Sequence, residues 1–330
     1  MKKRMVVIFL CAVSVVNAAL FDDQTPAIGV MTSSGVGYWY QMDSNGNTTA
    51  STQYAYGGNA GVAVGDIDSD GRVDFFRGGG SGNTTWYEAK GDPDYGFASV
   101  ATGVPSGGAV NNGLSIRDFD GDGISDVFRV TNTNTLGWYE SNGTNNGLSW
   151  RQNWTGVNAV ATGDFDGDSF GDLFIIGSTQ ITWREGRSDN VANWVSNISY
   201  SGVKDMVIGN YDGDSNADMF IVRADGSVDW REANGDNVFG STVTLFGEGI
   251  SCVELADIDG DGFGELFTGR TEGGLLMYSS GADNVIGDLT ALDFGNSATD
   301  LAIYNPVPEP TTLALFGMGF SLMASRRRKK

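Results

Sequence analysis

The sequence predicts an all-β fold, a β-propeller of four-stranded blades, and three observations carry that prediction. One acidic nine-residue loop recurs five times, starting at Asp66, Asp118, Asp164, Asn210 and Asp257, with starts 52, 46, 46 and 47 residues apart. Ten residues after each start stands a Phe (Phe76, Phe128, Phe174, Phe220, Phe267), and about twenty after it Trp86, Trp138, Trp183, Trp230 or Met277. With 49 Gly and 6 Pro, the composition suits short strands joined by tight turns. One unit therefore reads as apolar strand, acidic loop, apolar strand, Trp strand and outer strand, which is the content of one blade.

The flanks supply the remaining pieces. Residues 27–58 have the later part of a unit without its acidic loop, with Trp39 in the Trp position and Tyr54-Ala55-Tyr56 in an outer strand. Residues 289–305 read as the early part of a unit whose loop has decayed to Asp293 and Asp300. Joining the two flanks gives a sixth blade, closed by pairing of N- and C-terminal strands, with an inner strand expected over about Leu289 to Phe294. Seven blades result instead if the flanks form separate incomplete sheets.

Both ends read as addresses. Met1 to Ala19 has the basic start Lys2-Lys3-Arg4, an apolar run and small residues at Ala18 and Ala19, as a secretory signal peptide does. At the other end Val307-Pro308-Glu309-Pro310 precedes an apolar run over 311–324 and Arg326-Arg327-Arg328-Lys329-Lys330. That run is shorter than the roughly 20 residues a comfortable span needs, so membrane contact is expected only transiently. The propeller domain is expected over residues 20–306.

Each loop is a cage for a hard cation. Oxygen-bearing side chains occupy loop positions 1, 3, 5 and 9 in every copy. Ca²⁺ takes six to eight oxygens, and alternating Asp residues wrap it while Gly makes the sharp turn. The loops hold 19 of the 41 acidic residues, so the net charge of −21 is largely local to them. Up to five Ca²⁺ are expected. The loop from Asn210 should bind most weakly, because it starts with a neutral residue and has Ser215 where three copies have Gly.

The units resemble FG-GAP or VCBS repeats, the family of the integrin α-subunit propeller, over roughly residues 27–305. By position, the resemblance implies side-chain ligands Asp66, Asp68, Asp70 and Asp74 in the first loop, and Asp118, Asp120, Asp122 and Asp126 in the second. The third would use Asp164, Asp166, Asp168 and Asp172, the fourth Asn210, Asp212, Asp214 and Asp218, and the fifth Asp257, Asp259, Asp261 and Glu265. Position 7 would lend a backbone carbonyl from Arg72, Ile124, Phe170, Asn216 and Phe263. The last 24 residues (307–330) resemble a PEP-CTERM sorting signal. That implies export in a Gram-negative bacterium, removal of the tail by an exosortase, and a cell-surface or extracellular life linked to exopolysaccharide and biofilm.

Composition narrows the function. The chain has no His, which removes Ser-His-Asp and Cys-His catalysis and His-ligated metals. Cys252 is the one Cys outside the leader and reads as a small core residue. So acidic a chain should repel nucleic acid. The repeated Glu88, Glu140, Glu185 and Glu232 read as structural, since glycoside chemistry needs one carboxyl pair in one cleft. The expectation is a non-enzymatic adhesion or binding module for extracellular carbohydrate or protein. A polysaccharide-lyase-like enzyme and a purely structural matrix component are the alternatives. Trp150, Trp154 and Trp194 stand outside the repeated Trp position, so sugar stacking and edge packing are both open to them.

Overall fold

The computed structural model describes residues 26–304 apart from 44–47, 56–58, 71–72, 80–83, 91–95, 101–108, 145–146, 169, 189–190, 215–216, 234–239, 247–248, 281–288 and 293–296. Its secondary structure is all strand, in six four-stranded antiparallel sheets. Blade I is β4 (Asn59–Gly65), β5 (Asp74–Gly79), β6 (Thr85–Lys90) and β7 (Gly96–Val100). Blade II is β8 (Ala109–Arg117), β9 (Asp126–Thr131), β10 (Thr135–Glu140) and β11 (Ser149–Thr155). Blade III is β12 (Ala159–Gly163), β13 (Asp172–Ile176), β14 (Gln180–Glu185) and β15 (Asn193–Ser199). Blade IV is β16 (Val203–Gly209), β17 (Asp218–Arg223), β18 (Val228–Glu232) and β19 (Val243–Phe246). Blade V is β20 (Ile250–Ala256), β21 (Glu265–Arg270), β22 (Leu275–Ser279) and β23 (Leu289–Leu292). Blade VI joins β24 (Ala298–Tyr304) to β1 (Ala27–Thr32), β2 (Gly37–Met42) and β3 (Thr48–Ala55).

Closure runs through the two flanks as the sequence implies, but by a different inner strand. Leu289–Leu292 pairs with β22 as the outer strand of blade V, with Leu275 opposite Leu292. The inner strand of blade VI is β24, with Val30 of β1 opposite Leu301. The physical reason is that blade V needs a fourth strand to cover β22, and only the later Ala-Thr-Asp-Leu-Ala-Ile-Tyr run reaches the ring. Asp300 is therefore not a loop remnant. It is a buried residue of β24 whose Oδ2 accepts the Val62 N–H of blade I at 2.9 Å. Asp293 and Phe294 lie outside the described residues, as do the leader and the C-terminal tail.

The core sits between blades. Each of six apolar clusters draws on two neighbouring blades, so every blade is stapled to the next. In the largest, Phe174, Ile181 and Trp183 of blade III meet Met206, Ile208, Met219 and Ile221 of blade IV. Inner strands adjoin in the order β24, β4, β8, β12, β16, β20 and back to β24. The approach is close: a Cβ on Gly163 would lie 2.6 Å from Cγ2 of Ile208 in the next blade. A Cβ on Gly65, before the first acidic loop, would be as tightly placed, 2.5 Å from Cγ2 of Ile116, whereas Arg117 and Ala256 stand before the second and fifth loops. Cys252 is fully buried in the cluster between blades V and VI. Burial pushes its thiol well above the usual range.

A cavity of about 230 Å³ runs along the axis, lined by the inner strands. Asp205, Glu254 and Asp300 face it from three consecutive blades, IV, V and VI. Burial raises Asp205 to about 7 and Glu254 to about 8, and raises Asp300 well above the usual carboxylate range. Asp205 is also a clasp between blades, because its Oδ2 accepts the Val253 N–H at 2.8 Å.

Candidate metal centre

Each acidic loop joins the innermost strand of its blade to the second strand, and two anchors hold it there. The first is position 2. Phe119 is fully buried and meets Phe128 and Trp138 edge-on, with centroids 5.3 and 5.0 Å away. Phe165 and Tyr211 repeat this on Phe174 with Trp183 and on Phe220 with Trp230. The repeated Phe and Trp are themselves stacked, for example Phe174 on Trp183 at 5.4 Å. Their expected role in packing holds.

The second anchor is the position-9 carboxylate. Its one oxygen accepts the position-2 backbone N–H in every copy: Asp74 from Ile67 at 3.1 Å, Asp126 from Phe119 at 3.2 Å and Asp172 from Phe165 at 2.7 Å. Asp218 does so from Tyr211 at 2.7 Å and Glu265 from Ile258 at 2.8 Å. Its other oxygen receives the blade's Trp indole N–H, at 2.7 Å for Trp183 on Asp172 and 2.6 Å for Trp230 on Asp218. In blades I and II Trp86 faces Asp74 and Trp138 faces Asp126. There the pairs fall short of hydrogen-bond geometry. In blades III and IV the Trp is therefore a polar strut as well as a core residue, which the sequence pattern did not disclose.

Positions 1, 3 and 5 fold inward through local bonds. Asp118 accepts the Gly121 N–H on Oδ1 at 2.8 Å and the Gly123 N–H on Oδ2 at 2.9 Å. Asp257 does the same with Gly260 and Gly262. Position-4 glycines are left-handed, φ +75° at Gly121 and +76° at Gly260, a conformation that costs other residues roughly 1–2 kcal/mol. Asp122 and Asp261 accept the N–H of Ile124 and Phe263, and Asp168 that of Phe170.

The result is four clusters in which three carboxylates each bring an oxygen within 4.8 Å of the others. They are Asp66, Asp68 and Asp70; Asp118, Asp120 and Asp122; Asp164, Asp166 and Asp172; and Asp257, Asp259 and Glu265. In the fourth loop the amide of Asn210 is divided. Its Oδ1 accepts the Gly213 N–H and its Nδ2 donates to the Asp214 carbonyl. Asp212, Asp214 and Asp218 form no such triad. Arg72, Asn216, Ser169 and Ser215 lie outside the described residues.

Electrostatics favour a cation. With protein groups alone, burial pushes Asp74 and Asp218 up to about 7, and Asp126, Asp172 and Glu265 up to about 8. Neighbouring carboxylates add to the rise at each of them. A divalent ion would reverse this by supplying the missing positive charge. Glu88, Glu185 and Glu232 stand directly opposite Asp74, Asp172 and Asp218 in the ladder, and Glu140 presses its charge on Asp120 and Asp126. Sequence reasoning had these as structural repeats, yet the register sets them beside the cages. In blade V, where position 9 is the longer Glu265, the opposite residue is Ser279. The donor set, all oxygen and mostly carboxylate, with left-handed glycines at the turns, fits Ca²⁺.

The loops also touch one another around the rim. Gly171 donates its N–H to the Phe119 carbonyl at 3.1 Å, and Gly264 to that of Tyr211 at 3.0 Å. The ring of Phe170 covers Gly121, and that of Phe263 covers Gly213, each leaving under 3 Å for a Cβ.

Fold and site together define a six-bladed propeller with acidic loops between the first two strands of five blades. An FG-GAP-like repeat model matches residues 66–129 and 118–175, so the chain carries FG-GAP-like repeats. A PEP-CTERM protein-sorting motif matches residues 306–329, which marks an exported protein of the kind typical of Gram-negative bacteria and processed by an exosortase. No curated protein matches in sequence. Among solved structures, the BP39L lectin of Burkholderia pseudomallei aligns at TM-score 0.56 and 16% identity, over 81% of this chain and 84% of that one. A chain of a nidogen/laminin complex aligns at 0.54 and 10%, over 84% and 98%. A putative 6-phosphogluconolactonase from Bacteroides fragilis aligns at 0.52 and 9%, over 86% and 99%. At these identities the likeness is one of fold.

Proposed function

We propose that this protein is an exported, Ca²⁺-loaded β-propeller that acts without catalysis as a binding or adhesion module at the cell surface or in the extracellular matrix. Its ligand is carbohydrate or protein of that matrix. The observation that carries the reading is the set of four carboxylate triads, each with oxygens within 4.8 Å, held on one rim. Like charges gathered so closely stabilise a turn only around a cation, so metal-binding free energy becomes folding free energy. The ions make the ring rigid, and a rigid ring presents its outer strands and rims to a partner.

The non-enzymatic part rests on how the reactive groups are used. Tyr200, Arg223, Asp229 and Arg231 form a non-repeated cluster of the kind a lyase would need. Asp229 is saturated there: it accepts from Tyr200, from Arg223 and from Thr244. Burial, and then the bond to Asp229, push the Tyr200 hydroxyl up to about 12, the wrong direction for a general base. The cluster does not line the axial cavity.

The test is calcium-dependent melting. One site held at a hundredfold over its Kd adds about 2.7 kcal/mol, so chelation should lower the melting temperature and Ca²⁺ should restore it. An unchanged melting temperature at neutral pH would remove the calcium reading. Retention of the calcium-loaded protein on matrix polysaccharide or matrix protein tests the binding arm.

A further inference from the structure

Trp150 on β11 and Trp194 on β15 are 58% and 59% exposed. The Trp residues at the repeated position are buried. Burying an apolar side chain is favourable, and an indole left in water forgoes that gain. Both occupy equivalent places in neighbouring blades. Each sits on the outermost strand beside a register shift, Trp150 opposite Tyr139 and Trp194 opposite Arg184.

Each also begins the same short pattern, Trp150-Arg151-Gln152-Asn153 and Trp194-Val195-Ser196-Asn197. The Asn uses its Oδ1 to accept the indole N–H, at 2.9 Å for Asn153 and 3.5 Å for Asn197. Thr182 donates to the same Oδ1 of Asn197 at 2.9 Å. The indole's one polar atom is thereby satisfied within the strand, while more than half of each Trp stays in water. The side-chain amides of Asn153 and Asn197 keep N–H donors. Trp154, by contrast, is half-buried against the blade II–III core with the Arg184 guanidinium 5.5 Å from its ring, so edge packing explains it.

We infer that Trp150 and Trp194 are paired stacking platforms for the C–H faces of pyranose rings, making the outer edges of blades II and III a binding face for a neutral polysaccharide. This rests on the reading of the protein as an extracellular binding module and names its ligand and face. A protein partner would call for a contiguous apolar core at the interface. Here each indole is bonded to an Asn, and the strand residues that follow it include the polar Gln152 and Ser196. Among the described residues, the other large exposed apolar side chains are Val191 and Val243. A sugar ring has the matching make-up, an apolar face edged with hydroxyls. Neutral sugar is favoured because the nearby cations are engaged: Arg151 pairs with Glu140, and Arg184 donates to the Ala192 carbonyl at 2.9 Å.

The experiment is affinity electrophoresis of the calcium-loaded protein in gels containing dextran, laminarin, xylan or galactomannan, with acrylamide quenching of Trp fluorescence alongside. The expected result is that at least one polysaccharide retards the protein and shields its fluorescence. Trp150→Ala and Trp194→Ala should each weaken that retardation about tenfold, the scale of an aromatic hot spot, while Trp150→Tyr retains most of it. Calcium-dependent melting should stay as in the parent, since both side chains are exposed. If a polysaccharide retards parent and Ala variants alike, this face is wrong and the binding-module reading stands. If none of the four retards the parent while calcium still raises its melting temperature, the glycan inference falls and the calcium scaffold remains.

Discussion

Trp183 donates its indole N–H to Oδ1 of Asp172 at 2.7 Å, tying the third strand of blade III to the last residue of its acidic loop. The carboxylate's other oxygen is held by the Phe165 backbone N–H. Core and cage therefore share one residue, and stability and metal affinity should move together.

Trp183→Phe should expose that coupling. The ring and its stacking on Phe174 survive, but a buried carboxylate loses a donor, at about 1–3 kcal/mol. Denaturant unfolding in saturating Ca²⁺ should show the loss, and calorimetry should show weaker binding at one site. A variant equal to the parent in both would mean that Trp183 only packs.

Sites should differ in strength. Asp122→Ala removes a member of a formed triad, whereas Asp214→Ala acts on a loop that forms none and starts with Asn210. Calorimetric titration should show a larger loss of Ca²⁺ affinity and stability for Asp122→Ala. Equal losses would contradict the ranking.

The axial carboxyls set a pH dependence. Folding raises Asp205 to about 7 and Glu254 to about 8, and raises Asp300 well above the usual carboxylate range. A group raised by folding contributes stability that is complete below its unfolded value, near 4, and lost as pH climbs through the folded value. With Ca²⁺ saturating, the parent should therefore lose stability progressively as pH rises from about 4 to about 8. Glu254→Gln is neutral throughout and keeps an acceptor for the Leu255 N–H. Its melting temperature should pull ahead of the parent's as pH rises, by about 2–4 °C for each kcal/mol. Parallel curves would show that the axial charges are relieved some other way.

The blade count and the loop cage were legible because both rest on periodic chemistry. Asp at alternate positions and Phe ten residues on recur whatever surrounds them. The indole strut on Asp172 was not legible, since stacking and hydrogen bonding by Trp leave the same letter in the same place. Position 2 carried a signal that could have been used: Ile67, Phe119, Phe165, Tyr211 and Ile258 are apolar or aromatic in all five copies. The inner strand of blade VI was misplaced because Leu289–Leu292 and Ala298–Tyr304 are both short and apolar. Periodicity cannot rank two such runs, and the choice is made by which of them reaches β1 and Val62. The W-x-x-N pairs were visible as letters, but their exposure depends on the register shifts in β11 and β15.

The tail gives a further expectation. The PEP-CTERM motif covers residues 306–329, with Pro308-Glu309-Pro310 at its start. In a host with the sorting system, the exported protein should lack the residues beyond about Pro310. Intact-mass measurement showing Lys330 retained would contradict this.

Closure of the ring is the last prediction. Blade VI is held by the β24–β1 ladder, and β24 is tied to blade I by the Asp300 carboxylate on the Val62 N–H. Asp300→Ala leaves that N–H buried without its acceptor, at a cost of about 1–3 kcal/mol. It also removes one of three coupled axial carboxyls, which offsets part of the loss at high pH. The net penalty should therefore be largest near pH 5 and shrink by pH 9. Hydrogen exchange should locate it: protection should fall at Val62 and along β1 and β24, on both sides of the seam between the chain's two flanks. Blades II and III, whose clusters do not include β24, should keep theirs. Uniform loss across all six blades would mean that the seam is no weaker than the rest of the ring. Loss confined to β24, with β1 unchanged, would mean that β1 is held by β2 alone and that the shared blade does not close the propeller.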